Sequence, residues 1–229
     1  NIERVREEIP EKLKDRNLLI NQEKTEEYTI EKDGDQHWRK CKYLGTMLDT
    51  AEDIKRRKRM ANDAMQKIKH ITKDKRLPTE TKMRAFNAYT SSLFLYNSET
   101  WTVSKATADS IDSFHRRMLR NAIDVRWPNK ISNINLYEKT KQKPWSSVIT
   151  KRRLRLYGHL LRLPEETPVR LSMKEYERPL KMARGGRKFT WKKNIENDLE
   201  RIGVNKADVY DVAQDRKRWR LHIRSLEAD

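Results

Sequence analysis

The first fifty residues combine a helical period with short apolar segments typical of strands. Apolar residues at helical spacing predict an amphipathic helix over residues 1–16. Farther on, the segments 28–30 and 37–38 flank Asp33-Gly34, a dipeptide favoured in tight hairpin turns. Residues 42–48 follow as a third strand. Three short strands cannot close a sheet that buries both faces, so we expect this segment to be the edge of a larger sheet.

After Asp49 the spacing of apolar residues is helical throughout. Thr79, Ser104 and Asn205 precede such segments and are predicted N-caps, because their side-chain oxygens can accept hydrogen bonds from the first turn of a helix. Gly203 is predicted to end the helix before Asn205. The predicted helices cover residues 52–71, 79–96, 105–121, 133–140, 145–162 and 190–202, and a last helix runs from Asn205 to the chain end.

The distribution of charge separates the two parts of the chain. Among 229 residues, 52 are Lys or Arg and 34 are Asp or Glu, which gives a net charge of +18. Residues 1–50 hold 10 basic and 12 acidic residues, so the other 42 basic and 22 acidic residues give the rest of the chain a charge of +20. Such asymmetry favours a polyanionic partner, most often nucleic acid. A solvated, lysine-rich helical surface is the alternative.

Several classes of protein are disfavoured by the composition. No segment approaches the ~20 apolar residues of a membrane helix, and no apolar segment typical of a secretory signal follows the N-terminus. The basic residues are spread over several helices, which argues against a membrane surface as the partner. The single Cys41 excludes an intrachain disulfide and a zinc knuckle, so we expect an intracellular setting, nuclear or cytoplasmic. A first residue of Asn rather than Met indicates a piece of a longer protein.

Four basic clusters supply most of the candidate contacts to phosphate. Each cluster alone can be a solvated helix face, and five consecutive cations on a helix cannot all point one way. Together, in a region poor in acidic residues, the four clusters favour salt-dependent binding of a nucleic-acid backbone. The clusters are Lys55, Arg56, Arg57, Lys58 and Arg59; Lys151, Arg152, Arg153 and Arg155; Arg184, Arg187 and Lys188; and Arg216, Lys217, Arg218 and Arg220.

Aromatic residues lie among these charges, and two interpretations compete for them. Stacking on bases is the functional one, worth ~1–3 kcal/mol per base. Core packing is preferred for most, because Trp191 and Trp219 share predicted helix faces with aliphatic residues. Trp127, which Pro128 follows at a helix end, is the better candidate for an exposed contact with nucleic acid.

Motifs of catalysis and metal binding are missing from the sequence. It contains no phosphate-binding GxxxxGK[ST] loop, no HExxH and no GxSxG, and its five histidines lack metal-ligand spacing. We therefore predict no metal site and no catalytic residue in this chain on the basis of its residues alone.

Segments along most of the chain resemble reverse transcriptases, and those after residue 94 resemble the enzymes of non-LTR (LINE-type) retrotransposons. The first resembles their motif D and the second their primer-grip strand, and the order and spacing of all six match. These segments are LLINQEKTE (18–26), KYLGTML (42–48), LYNSETW (95–101), RRLRLYGHLLR (152–162), GR with TW (186–191) and AQDR with RW (213–219).

The resemblance implies the C-terminal half of an endonuclease–reverse transcriptase. It implies an α+β, mainly α fold: the end of the palm, with a small antiparallel β remnant, over residues 1–50; a helical thumb over 51–128; and a helical, basic, nucleic-acid-binding region over 129–229. The two adjacent aspartates that bind the metal ions of the polymerase are absent from this chain, so we expect it to be inactive alone. Magnesium is expected only for the full polymerase.

The resemblance also assigns roles to individual residues. Tyr43, Leu44 and Gly45 would belong to the primer-grip strand, and Lys24 would lie near the phosphates of the incoming nucleotide. Asn17 stands where the family has Gly, and we expect the turn to survive because Asn tolerates a left-handed backbone.

Taken together, these observations predict a template–primer-binding part of a retrotransposon reverse transcriptase. Its partner would be RNA, DNA or an RNA–DNA hybrid. The alternative is a freestanding module derived from such an element that binds nucleic acid or an acidic protein.

Overall fold

The computed structural model describes residues 2–25, 36–177 and 189–226. The chain divides into two compact units, Asn1–Asp49 and Thr50–Asp229, which are taken in turn. The described part is mainly helical and has one small antiparallel sheet, which confirms the α+β, mainly α class.

The first unit begins with the predicted helix. Helix α1 spans Ile2–Lys14, and Asn17 just after it adopts a left-handed backbone with φ of 56°. Short 3-10 helices cover Gln22–Lys24 and Gln36–Lys40. The strand predicted at 37–38 is therefore wrong. The strand predicted at 28–30 and the Asp33-Gly34 turn lie outside the described residues.

Residues 42–48 form a hairpin instead of the single strand expected from their apolar content. Strand β1, Lys42–Tyr43, pairs antiparallel with β2, Thr46–Met47, so that Lys42 lies opposite Met47 and Tyr43 opposite Thr46. The two residues between them, Leu44 and Gly45, have positive φ values of 47° and 79°. Two left-handed residues in a two-residue loop match the right-handed twist of the strands, which is why the chain reverses here.

The second unit is built from helices. Those predicted at 133–140 and 145–162 are confirmed at both ends, whereas the first one predicted, 52–71, is divided near Ile68, and the last one is divided at Asp215. The α-helices are α2 Thr50–Lys67, α3 Lys69–Lys73, α4 Thr79–Phe86, α5 Ser92–Phe94, α6 Lys105–Ala122, α7 Asn133–Thr140, α8 Trp145–Arg162, α9 Pro168–Glu177, α10 Trp191–Arg201, α11 Val209–Gln214 and α12 Arg216–Ser225. A π-helix, Asn87–Ser91, joins α4 to α5, and a 3-10 helix covers Ser98–Thr100.

The helix caps explain these bounds. The Ser104 hydroxyl accepts a hydrogen bond from the Thr107 N–H at 3.2 Å and so begins α6 as predicted. Thr79 is the first helical residue rather than the cap, because Pro78 before it is held in an extended conformation. Asn205 caps no helix either, since α11 begins only after Asp208. Gly203, with φ of 66°, follows α10 as predicted.

Two apolar clusters hold the second unit together. In the first, the Trp145 ring stacks on Phe94 at 4.2 Å and on His115 at 4.3 Å between centroids, which joins α5, α6 and α8. The second cluster surrounds the C-terminal half of α8 and centres on Trp219 of α12, which is 2% exposed. Helix α8 contributes to both clusters, so it is the element that joins them.

Helix α10 is fixed to the segment before α6 by buried polar contacts. The Asn194 amide accepts from the Val103 N–H at 2.8 Å and donates to the Val103 carbonyl at 2.7 Å, as a neighbouring strand would. The Trp191 indole donates to the Glu99 carbonyl at 2.9 Å. The domain boundary expected at residue 128 therefore lies within one compact unit, Thr50–Asp229.

Candidate nucleic-acid interface

A groove of about 600 Å³ runs between α8 and α12 and is lined mainly by basic residues. None of the described residues that line it is acidic. Its volume falls in the range of typical ligand sites. The lining residues are Lys151, Arg155, His159, Arg162, Arg216, Trp219, Arg220, Ile223 and Arg224.

Helical spacing alone aligns the basic residues with which α8 forms one wall of the groove. Lys151, Arg155 and His159 are four residues apart, and Arg162 follows three residues later, so all four lie on one face of the helix. Arg155 and His159 are exposed, Arg162 is half-buried and Lys151 is buried at 9% exposure. The wall thus carries charge from its rim to its base.

The α12 wall repeats this arrangement. Arg216, Arg220 and Arg224 are spaced by four residues and are all exposed. A second row of charge therefore faces the first across the groove.

The floor of the groove is a close contact between the two helices. The Trp219 indole N–H donates to the Leu154 carbonyl of α8 at 3.0 Å. Gly158 lies against the same ring, and a Cβ at this position would lie 2.6 Å from Trp219 Cε2. No side chain other than the hydrogen of glycine fits there, so Gly158 is what lets α12 approach α8 this closely.

Cations crowd each other at the deep end of the groove. Arg162 donates from Nη1 to the Ala213 carbonyl at 2.7 Å. Burial lowers the pKa of the Arg162 guanidinium, and the neighbouring charges of Arg216 and Arg220 lower it further. An anion in the groove would relieve this repulsion, because it would attract Arg162, Arg216 and Arg220 alike.

The wall formed by α12 is anchored before any ligand arrives. The Asp215 carboxylate caps the helix by accepting from the Lys217 and Arg218 N–H groups at 2.7 and 3.2 Å, and these hydrogen bonds hold the pKa of Asp215 below its usual value. The Gln214 amide donates to the Leu161 carbonyl at 3.2 Å, which attaches this corner to α8. A rigid site loses less entropy when it binds.

The cations of the first predicted cluster are distributed around α2. Lys55 and Arg59 are exposed, and Lys58 donates to Ser110 Oγ at 2.9 Å. Arg57 is buried at 3% exposure, where it donates to the Leu93 carbonyl at 3.1 Å and lies over the Tyr96 ring. In contrast to its predicted contact with nucleic acid, Arg57 packs inside the unit, because it lies on the same face of α2 as Asp53, one turn earlier. Arg56 is half-buried, with its guanidinium 3.6 Å from an Asp53 oxygen.

The second predicted cluster is divided between the groove and the core. Lys151 and Arg155 line the groove. Arg153 is 3% exposed and pairs with the buried Asp198 of α10 at 2.7 Å, so it joins two helices instead of facing a ligand. Arg152 donates to the Leu95 carbonyl.

Only two residues of the fourth predicted cluster line the groove. Arg216 and Arg220 line the groove, whereas Lys217 and Arg218 are exposed on other faces of α12. The third cluster, Arg184, Arg187 and Lys188, lies outside the described residues.

Three groove residues were missed by sequence reasoning: His159, Arg162 and Arg224. The search for consecutive basic residues passed over them because each stands alone in the sequence. A search for basic residues three or four positions apart would have joined the first two to Arg155 and the third to Arg220.

Among the aromatic candidates, the prediction for Trp127 as an exposed residue is confirmed. Its ring is 86% exposed, and it follows Arg126, which pairs with Asp124 at 3.1 Å. Trp219 is a core residue and Trp191 is half-buried against the same cluster, as preferred from their spacing, and Trp145 is also buried.

The candidate residues of the first unit lie in the β1–β2 hairpin and in the 3-10 helix Gln22–Lys24. Tyr43 and Leu44 are exposed in the β1–β2 hairpin beside Gly45. Lys24 is exposed, and its backbone N–H donates to the Asn21 side chain at 3.2 Å.

Neither a metal site nor a membrane-spanning helix is present in the described part of the chain. Within the described ranges, no three His, Cys, Asp or Glu side chains lie close enough together to hold a metal ion. Among the helices that the structure describes, none is long and apolar enough to span a membrane. Comparison of the chain with models of protein families, with curated proteins and with solved structures gave no match.

Proposed function

We propose that this chain is the nucleic-acid-binding, template–primer-holding part of a protein similar to a non-LTR retrotransposon reverse transcriptase. The groove between α8 and α12 carries this proposal, since two facing rows of cations without an acidic residue among the described lining match the repeated charge of a phosphodiester backbone. The motifs after residue 94 support the more specific part of the proposal.

Binding by this groove is electrostatic and independent of sequence. Phosphates replace the counterions of the groove, and the released ions make affinity fall as salt rises. Contacts of this kind set position and register but do not read bases. The chain would thus hold a template while another part of the protein performs chemistry.

The described residues do not fit a magnesium ion. Their carboxylates form no group that could ligate one, and the groove is lined by cations that repel it. No step of the proposed function therefore passes through a metal.

Equilibrium binding over a salt series tests this function. Fluorescence anisotropy of labelled RNA, DNA and RNA–DNA hybrid is measured with the whole chain from 50 to 300 mM salt, and an acidic polypeptide of similar charge serves as the comparison. We expect nucleic acid to bind more tightly than the polypeptide, with log affinity falling linearly against log salt. Equal binding of the polypeptide, or affinity that does not change with salt, would refute the proposal.

A further inference from the structure

We infer that Trp127 is a second point of contact with nucleic acid, where its indole ring stacks on an unpaired base. This inference rests on the proposed function. It adds a contact with a base to the contacts that the groove between α8 and α12 makes with phosphates, and Trp127 does not line that groove.

The exposure of the Trp127 ring is the first argument. All six tryptophans lie in the described ranges, and Trp127 alone is exposed, at 86%. Three of the others are at most 2% exposed, and the remaining two are half-buried. Because an aromatic ring stabilises a fold through the area it buries, this ring contributes little to the fold and leaves most of its surface available to a ligand.

The loop of residues 124–130, which carries Trp127, is fixed at both ends. On its N-terminal side, the Asp124 carboxylate accepts a hydrogen bond from Lys73 Nζ at 2.7 Å. On its C-terminal side, Arg120 Nη2 donates to the Ile131 carbonyl at 3.3 Å, and the Ile131 side chain packs against the first apolar cluster. An anchored loop loses less entropy on binding than a loose one, so the ring is presented in a form suited to a ligand.

The charge of this loop favours a nucleotide over an apolar protein surface. The exposed Arg126 precedes Trp127, and the exposed Lys130 follows three residues later. Asp124, the acidic residue of the loop, is shared by Lys73 and Arg126 at 2.7 and 3.1 Å, which leaves the loop with an excess of positive charge. The phosphates on either side of a stacked base would compensate this charge, whereas an apolar partner would only desolvate it.

The ligand of the ring is an unpaired base because neighbouring bases cover both faces of a base inside a duplex. A template–primer offers unpaired bases where the template extends past the primer. Stacking on an aromatic side chain tolerates any base, since every base has a π-face. The contact at Trp127 therefore adds affinity for the template strand without selecting its sequence, as the electrostatic groove also does.

Removing the bases of a strand while keeping its phosphates isolates this contact. The probes are oligo(dT) and an abasic strand of the same length, each measured by fluorescence anisotropy with the whole chain over a salt series. Trp127→Ala should weaken binding of oligo(dT) by roughly 5- to 100-fold, the loss expected for one stacked base, and leave binding of the abasic strand unchanged. The slope of log affinity against log salt should stay the same, because the indole carries no charge.

Two further variants separate stacking from a general effect of the substitution. Trp127→Phe keeps an aromatic ring and should retain part of the affinity for oligo(dT). Ile134→Ala is the matched control, since it removes another exposed apolar side chain, at 71% exposure, and should bind both probes as the unmodified chain does.

The outcomes distinguish this inference from the proposed function. If Trp127→Ala binds both probes as the unmodified chain does, or weakens both equally, no base stacks on the ring; the inference is then wrong and the proposed function stands. An equal loss of oligo(dT) affinity in Ile134→Ala would indicate a wider apolar surface and would also overturn the inference. If the unmodified chain binds neither probe, both fail.

Discussion

Replacement of Gly158 by Ala is the most direct test of the contact beneath the groove. At an ordinary helix position this change stabilises, because Ala is more favourable than Gly in a helix interior by ~1 kcal/mol. Here the added Cβ would lie 2.6 and 2.8 Å from Trp219 Cε2 and Cδ1. The ring is buried and donates to Leu154, so it cannot move aside without loss of its own contacts.

The expected magnitude follows from these opposing effects. Overpacking a filled core costs ~1–3 kcal/mol, and a strained indole hydrogen bond adds about 1 kcal/mol. After the gain in helix propensity is subtracted, Gly158→Ala should lower the free energy of unfolding by about 2 kcal/mol. Urea denaturation followed by circular dichroism measures this difference without relying on tryptophan emission.

A variant that lacks the Trp219 ring isolates the contact between Gly158 and that ring. With Trp219→Leu the ring is gone, so Gly158→Ala should be neutral or stabilising there, and the double-mutant cycle should give a coupling of at least ~2 kcal/mol. A Gly158→Ala variant that is as stable as the parent while Trp219 is present would refute the close approach of α8 and α12 at the floor of the groove.

Three further predictions concern the core of the second unit. Burial lowers the pKa of His115 to about 3, so below pH 6.5 the unfolded chain takes up a proton that the folded chain does not. Between pH 7 and pH 5 this difference lowers the free energy of unfolding by ~2 kcal/mol. His115→Phe should remove that part of the loss when urea titrations at the two pH values are compared. Asp198→Ala should lower the free energy of unfolding by ~3–5 kcal/mol, because it leaves Arg153 buried without this carboxylate. Adding Arg153→Met to that variant should restore part of the lost stability, and thermal melts that show no restoration would contradict the pairing. Ser104→Ala should cost ~1 kcal/mol through loss of the α6 cap, and an unchanged urea midpoint would contradict that role.

Local signals predicted the helices well where a single residue type determines the boundary. Ser104 and Gly203 act through their own side chain or backbone, so their positions could be read from the sequence. Thr79 failed as a cap because its neighbour Pro78 sets the backbone there. The hairpin at 42–48 was missed because it requires Leu44 at φ of 47°, and a large aliphatic residue gives no sign of a left-handed conformation.

The groove was predicted only in part because it joins residues by spacing and by packing, not by adjacency. Within the run 151–155, neighbouring cations point to different places: Lys151 and Arg155 face the groove, while Arg153 reaches Asp198 in the core. Helical geometry makes this unavoidable, since successive side chains are turned by about 100°. Which face becomes the groove is then decided by Gly158, because only the face against which α12 packs acquires a second wall.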